Sequence, residues 1–155
     1  MATTITAATL TVTLTEEISL NGQDKGSTNT LTVASVTEVS QRIVNVPTSE
    51  VVILAMGTAV AAGQLVEGDV RYIRITNKDD TNHVILTFKS ENNNECAHLL
   101  DAGHTFIYPG DNSGGVVNTH DASASALTVS LDDLVNITAL ADTAACDLEL
   151  FVAGV

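Results

Sequence analysis

The four histidines are the residues of this sequence that most readily bind a metal. His83, His98, His104 and His120 are scattered, and no two have the His-x-His or His-x-x-x-His spacing that brings imidazoles together. His98 and His104 flank one predicted turn, which is the nearest approach to the clustered histidines of a cupin-type enzyme. The spacing therefore predicts neither a metal nor another cofactor.

Cys96 and Cys146 are the only cysteines, and neither has a basic residue next to it in sequence that would lower the pKa of its thiol. We therefore expect two buried, reduced thiols rather than a nucleophile or a disulfide. No serine lies in a Gly-x-Ser-x-Gly elbow, and the glycines between predicted strands do not precede a helix. Nucleophilic catalysis and phosphate binding are not indicated.

Acidic residues in two turns resemble fragments of calcium loops, namely Asp79 with Asp80, and Asp111 with Asn112. Neither turn supplies the run of alternating oxygen ligands that a calcium loop needs, and Asp and Asn also favour turns without a metal. Paired carboxylates for glycoside hydrolysis can come from distant positions, so a glycan-cleaving enzyme stays an open alternative. Sugar grooves usually offer aromatic platforms, however, and two Tyr, three Phe and no Trp leave little aromatic surface. The sequence favours a protein that is not an enzyme.

The net charge of the chain limits the kinds of partner that it is expected to bind. Six Lys and Arg stand against 19 Asp and Glu, which gives a net charge of −13. Such a chain repels nucleic acid and anionic lipid, so neither nucleic acid nor a membrane surface is an expected partner. An acidic surface equally suits solubility, high salt or docking onto a basic protein.

The length of 155 residues matches one domain, and a core of Val, Leu, Ile and Ala suits packed sheets. The first eight residues lack the basic and apolar regions of a secretory signal, and no apolar run reaches the roughly 20 residues of a membrane helix. We therefore expect folding in a cytoplasm.

Alternation defines the first predicted strand, over residues 9–15, where Thr alternates with Leu10, Val12 and Leu14. These three side chains are expected to point inward. Asn21-Gly22 predicts a tight turn, and residues 21–27 a hairpin loop. Further strands are predicted over residues 31–36, 42–46, 51–56, 70–75, 84–88, 96–100, 105–108, 127–131, 135–140 and 148–152.

Residues 49–56 are ambiguous between helix and strand. Ser49 is able to cap a helix running to Ala62, but Val51, Val52 and Ile53 favour a fully buried strand. These short strands, spaced by turn signals and with no sustained helical periodicity, predict an all-β fold, an antiparallel two-sheet β-sandwich or jelly roll. Residues 10–155 form the predicted domain, and residues 1–9 an N-terminal arm or edge segment.

Three stretches resemble a recurring pattern in small β-sandwich structural proteins of tailed phages, especially aquatic ones. They are residues 68–88, with their Asn-Lys-Asp-Asp-Thr turn, residues 100–106, with Ala-Gly-His-Thr-Phe, and the closing segment 134–152. The resemblance covers roughly residues 10–152. It implies a virion protein assembled in the host cytoplasm, and carries no catalytic residues.

Among virion proteins, the expectation is a capsid decoration or cement protein that binds the major capsid protein on the capsid surface, as a homotrimer. Such a protein stabilises the shell by adding buried interface, and a trimer multiplies weak contacts. The alternative is a tail-associated module of a fibre, spike or baseplate that contacts a host glycan.

The Thr-rich N-terminus is the expected intersubunit contact, centred on Thr3, Thr4, Ile5 and Thr6. This segment is uncharged and β-prone, which suits addition of a strand to the sheet edge of a neighbouring subunit. A frayed terminus is the equally weighted alternative.

Overall fold

A computed structural model describes residues 4–108 and 131–155. These residues form thirteen strands and no helix, which confirms the all-β prediction; ten of the strands have four or more residues. In chain order they are β1 (Ala8–Glu16), β2 (Ser19–Leu20), β3 (Gln23–Asp24), β4 (Ser27–Val36), β5 (Glu38–Val46), β6 (Val51–Gly57), β7 (Leu65–Val66), β8 (Val70–Asn77), β9 (Val84–Ser90), β10 (Glu95–Leu100), β11 (Thr105–Tyr108), β12 (Leu134–Ala141) and β13 (Cys146–Gly154).

Two sheets pack face to face as a β-sandwich, as predicted. The first sheet has the strand order β10-β9-β12-β6-β7, and the second has the order β11-β8-β13-β5. Neighbouring strands are antiparallel except for the short β6–β7 pair, which is parallel. The largest fully buried side chains, which lie between the sheets, are Phe88, Ile53, Ile73, Ile75, Leu86, Ile137, Leu148 and Leu150. This aliphatic core fits the low aromatic content of the chain.

The strand pairing is nested around the β9–β10 connection. β9 pairs with β10, β8 with β11, β6 with β12 and β5 with β13, so each earlier strand finds a later partner. Strands from the two halves of the chain therefore pair over long sequence separations. As a result, no short segment can bury its apolar face alone.

The ambiguous segment at residues 49–56 is a strand, β6, and not a helix. The expectation that it is fully buried was wrong, because Val52 is 58% exposed. A register irregularity between Ile137 and Thr138 of β12 places two consecutive β6 residues, Ile53 and Leu54, in the core. Val52 faces outward as a result.

Two predicted turns link the sheets rather than close hairpins. β8 and β9 lie in opposite sheets, and so do β10 and β11, whose connection includes Gly103 at φ +71°. The predicted strand at 127–131 lies outside the described residues except for Leu131, which is not in a strand. The two-residue β7 was not predicted.

β1 and β4 form a separate two-stranded antiparallel sheet, which we call the ribbon. Its far end carries the small β2–β3 pair, closed by Asn21 and Gly22 at φ +52° and +77°, which confirms the tight turn. The prediction of a loop over residues 21–27 was wrong in part, because Gln23–Asp24 is strand β3.

Candidate interaction site

The ribbon is amphipathic in a regular way. The register pairs Leu10 with Val33 and Val12 with Leu31, and directly opposed residues of an antiparallel pair share a face. Intervening pairs, such as Thr13 with Thr30, therefore place threonine on the other face. One side of the ribbon is aliphatic, and the other is an exposed row of Thr hydroxyls.

The aliphatic side packs on the outer surface of the second sheet near one end only. Half-buried Leu10, Val12 and Val33 lie with Val36 against a floor whose members are Tyr72, Ile107, Phe151 and Ala153. The rings of Tyr72 and Phe151 meet edge to face, with centroids 6.1 Å apart. This contact anchors the ribbon, since a two-stranded hairpin alone is marginally stable in water.

Beyond this anchor the aliphatic face of the ribbon is open. Leu14 is 49% exposed and Leu31 is 39% exposed, so the expectation that Leu10, Val12 and Leu14 all point inward was wrong for Leu14. The reason is the extent of the floor, which supports Leu10 and Val12 but ends before Leu14.

An apolar cleft of about 240 Å³ opens where the ribbon passes the floor, and we call it the ribbon cleft. It is lined by Val12, Leu14, Asn29, Thr30, Leu31, Tyr72 and Ile107. None of these side chains is charged, so the ribbon cleft selects an apolar, uncharged occupant.

Exposed large apolar residues concentrate in the N-terminal part of the chain. Of the eleven large apolar side chains that are exposed among the described residues, seven lie between residues 5 and 43. They are Ile5, Leu14, Ile18, Leu20, Leu31, Val39 and Ile43. Val39 and Ile43 lie on β5, at the edge of the second sheet, and alternate with core-facing residues. On the outer face of the second sheet, Val39 lies opposite Ala153 of the floor, whereas Ile43 lies opposite Glu149, which pairs with Arg74 and Lys78.

The two ribbon strands are almost free of charge. Residues 8–15 of β1 and the whole of β4 carry no charged side chain, although the chain has a net charge of −13. Sheet edges that face water are normally protected by Lys, Pro or inward charges. Their absence from these ribbon strands is typical of a surface that another protein covers.

The N-terminal contact residues predicted from sequence precede β1. Thr4, Ile5 and Thr6 are exposed, and Ile5 is 71% exposed; Thr3 lies outside the described residues. The prediction that they contact another subunit stays a prediction. The sequence did not indicate the ribbon cleft, because its lining comes from β1, β4, β8 and β11.

The two cysteines are free, and their environments differ. Cys146 is buried as expected, and burial raises the pKa of its thiol. Cys96 was wrongly expected to be buried; it is half-buried, and its Sγ lies 3.3 Å from Nε2 of His98. Sequence adjacency missed this basic neighbour because residues two apart on a strand share a face.

An aromatic cluster lines the side of the sandwich where β10 and β11 are the edge strands. Phe88, Phe106 and Tyr108 have ring centroids 5.1 to 6.4 Å apart, and His98 packs against Phe88 at 5.7 Å. Burial, with the nearby Cys96 thiol, raises the pKa of Tyr108 to about 12. All five aromatic residues are buried or half-buried, which agrees with the sequence expectation of little aromatic surface.

Metal-ligating residues do not converge in the described ranges: no group of three or more His, Cys, Asp or Glu side chains is placed to hold an ion. His120, Asp111 and Asn112 lie outside those ranges. The carboxylate of Asp79 accepts hydrogen bonds from the backbone N–H groups of Thr81 at 2.8 Å and Asn82 at 2.6 Å. These hydrogen bonds lower the pKa of the Asp79 carboxyl. They also hold the shape of the turn.

A second carboxylate orders the β9–β10 loop. Asp132 accepts hydrogen bonds from Asn92 Nδ2 and Ser90 Oγ, each at 3.0 Å, and from Asn94 Nδ2. The bonds from Asn92 and Asn94 hold the pKa of Asp132 below its usual value. The carboxylate oxygens of Asp132 therefore serve to hold the loop in place.

Comparison with known proteins adds no relative: no protein-family model, no curated protein and no solved structure matches this chain. Across the part of the chain that the structure describes, no helix is long and apolar enough to cross a membrane.

Proposed function

We propose that this chain is a structural binding protein that attaches to a larger protein assembly through the ribbon and the adjoining outer face of the second sheet. The observation that carries the proposal is the open aliphatic face of the ribbon, where Leu14 and Leu31 are exposed on strands whose residues 8–15 and 27–36 carry no charge, in a strongly acidic molecule. Contiguous apolar surface of this kind marks protein–protein contacts. We propose a binding role for the protein and no enzymatic activity.

The assembly that we propose is the capsid of a tailed phage, with the chain as a decoration or cement protein on its outer surface. The resemblance of residues 68–88, 100–106 and 134–152 to small phage structural proteins supports this. The partner is the major capsid protein, and the attached form is a homotrimer. Attachment stabilises the shell because the contacts between chain and capsomers must break before the shell opens.

We infer that the sandwich is a jelly roll. The nested pairing of β5 with β13, β6 with β12, β8 with β11 and β9 with β10 supports this, since a jelly roll is a long hairpin rolled into two sheets. Jelly rolls occur in viral capsids and in lectins, so the fold is compatible with both the decoration role and the tail alternative.

Cryo-electron microscopy of particles from the source of this chain tests the proposal. The expected result is density for the chain on the outer capsid lattice. Density confined to the tail would replace decoration by the fibre, spike or baseplate role, and absence from every particle would refute a virion function.

A binding assay tests the proposed surface. Purified shells that lack the chain are mixed with the wild-type chain or with Ile43→Asp, which places a charge on the exposed face of β5, and bound chain is measured by co-sedimentation. We expect Ile43→Asp to weaken binding at least about tenfold, the cost of losing one buried aliphatic side chain. The matched control is Val60→Asp, since Val60 is 90% exposed and lies between β6 and β7. Equal binding by both variants would remove the β5 face from the contact.

A further inference from the structure

We propose that the N-terminal segment of one copy of this chain docks in the ribbon cleft of a second copy, with the Ile5 side chain filling the cleft. The proposal rests on the homo-oligomer proposed above but not on the capsid, because two copies of this chain suffice to form the contact.

The chemistry of the two surfaces matches. Ile5 is the largest apolar side chain of residues 4–8 and is 71% exposed, while the ribbon cleft is apolar and open. Thr4 and Thr6 flank Ile5, so an extended segment presents Ile5 alone on one face and two hydroxyls on the other. Neither the segment nor the cleft lining carries a charge, so this contact avoids the repulsion expected between chains of net charge −13.

The reach of the chain excludes the cleft of the same copy. β1 begins at Ala8, and the cleft residues Val12 and Leu14 lie four and six residues further along the strand. At about 3.3 Å per residue they are roughly 13 and 20 Å from Ala8. The three residues from Ala8 back to Ile5 span only about 10 Å when fully extended. The chain must also turn back at Ala8 to run along β1, which shortens this reach further, and in its own copy Ile5 is 71% exposed and does not line the cleft. We therefore assign the occupant to another copy.

Sedimentation velocity of the full-length chain across a concentration series is the first test. We expect the wild-type chain to self-associate, Ile5→Asp to weaken association at least about tenfold, and Val60→Asp to leave it unchanged. A wild-type chain that stays monomeric at its highest soluble concentration would overturn the proposal. Association that Ile5→Asp leaves unchanged would overturn docking of the arm while leaving a homo-oligomer in place.

Disulfide trapping then tests the geometry, in a Cys96→Ser background in which the remaining Cys146 is buried. Ile5→Cys and Leu14→Cys are made in separate chains, mixed and oxidised, with Ile5→Cys mixed with Val60→Cys as the matched control. We expect a covalent heterodimer only in the first mixture. An equal yield in the control mixture, or a monomeric intrachain bridge when Ile5→Cys and Leu14→Cys share one chain, would refute docking between copies. Shell binding is measured separately, so either proposal can fail without the other.

Discussion

Replacing Asn77 by Asp should destabilise the protein in a pH-dependent way, because this side chain joins the two sheets. Asn77 ends β8 in the second sheet and is 1% exposed. Its Nδ2 donates to the carbonyl of Asn82 at 2.9 Å and to that of Leu100, at the end of β10 in the first sheet, at 3.3 Å. Its Oδ1 accepts from the backbone N–H of Asp79 at 3.0 Å.

The cost follows from these contacts. Asn77→Asp keeps the accepted bond but removes both donated bonds and directs carboxylate oxygen at two carbonyl oxygens. Two lost hydrogen bonds cost about 1 kcal/mol each, and leaving a charge buried and uncompensated brings the total to about 3–5 kcal/mol at pH 7. That is a large part of the roughly 5–15 kcal/mol that stabilises a typical domain.

The pH dependence has a defined sign. Burial and the carbonyl oxygens raise the folded-state pKa of the introduced carboxyl above its unfolded value of about 3.9. The folded state then binds more protons than the unfolded state, so the stability of Asn77→Asp relative to wild type falls as pH rises above about 4. Below that pH the neutral acid donates one hydrogen bond, and the deficit shrinks to about 1–2 kcal/mol.

Urea unfolding followed by circular dichroism, at pH 3.5 and pH 7, measures both quantities. The matched control is Asn21→Asp, the same chemical change at an exposed turn position that Asp also tolerates, with an expected effect within about 0.5 kcal/mol. Equal unfolding free energies for the two variants at pH 7, or a deficit that does not grow with pH, would refute the assigned role of Asn77.

Three further outcomes are expected. Both tyrosines have pKa values raised mainly by burial, Tyr108 to about 12, so absorbance at 295 nm should show the phenols titrating at higher pH in the folded chain than in urea; equal titration in the two states would contradict their burial. Gly26→Ala should destabilise the ribbon by about 1–3 kcal/mol, because a Cβ there overlaps the carbonyl oxygen of Glu16, whereas Gly68→Ala meets open space; hydrogen exchange of β1 and β4 amides distinguishes them. The hydrogen bond from Arg74 holds the pKa of Glu149 low, so this contribution to stability is present above pH about 4.5 and is lost as pH falls through the lowered pKa. The difference in Tm between wild type and Glu149→Gln should therefore shrink in acid, and a constant difference would contradict the pairing.

Local features of the sequence were sufficient to predict most strands. Alternation of Leu and Val with Thr identified β1, and Asn21-Gly22 identified the turn at the end of the ribbon, because side-chain period and turn geometry depend on neighbouring residues. The acidic character of the chain and the low aromatic surface also follow from composition.

What lies on either side of a strand was decided only by the tertiary structure. Leu10 and Leu14 occupy equivalent positions in one alternating pattern, yet Leu10 is half-buried and Leu14 is exposed, because the floor beneath the ribbon comes from β8, β11 and β13. The ribbon cleft and the approach of His98 to Cys96 depend in the same way on where edge strands lie. Alternation shows which residues share a face, but pairing between strands a hundred or more residues apart determines what that face meets.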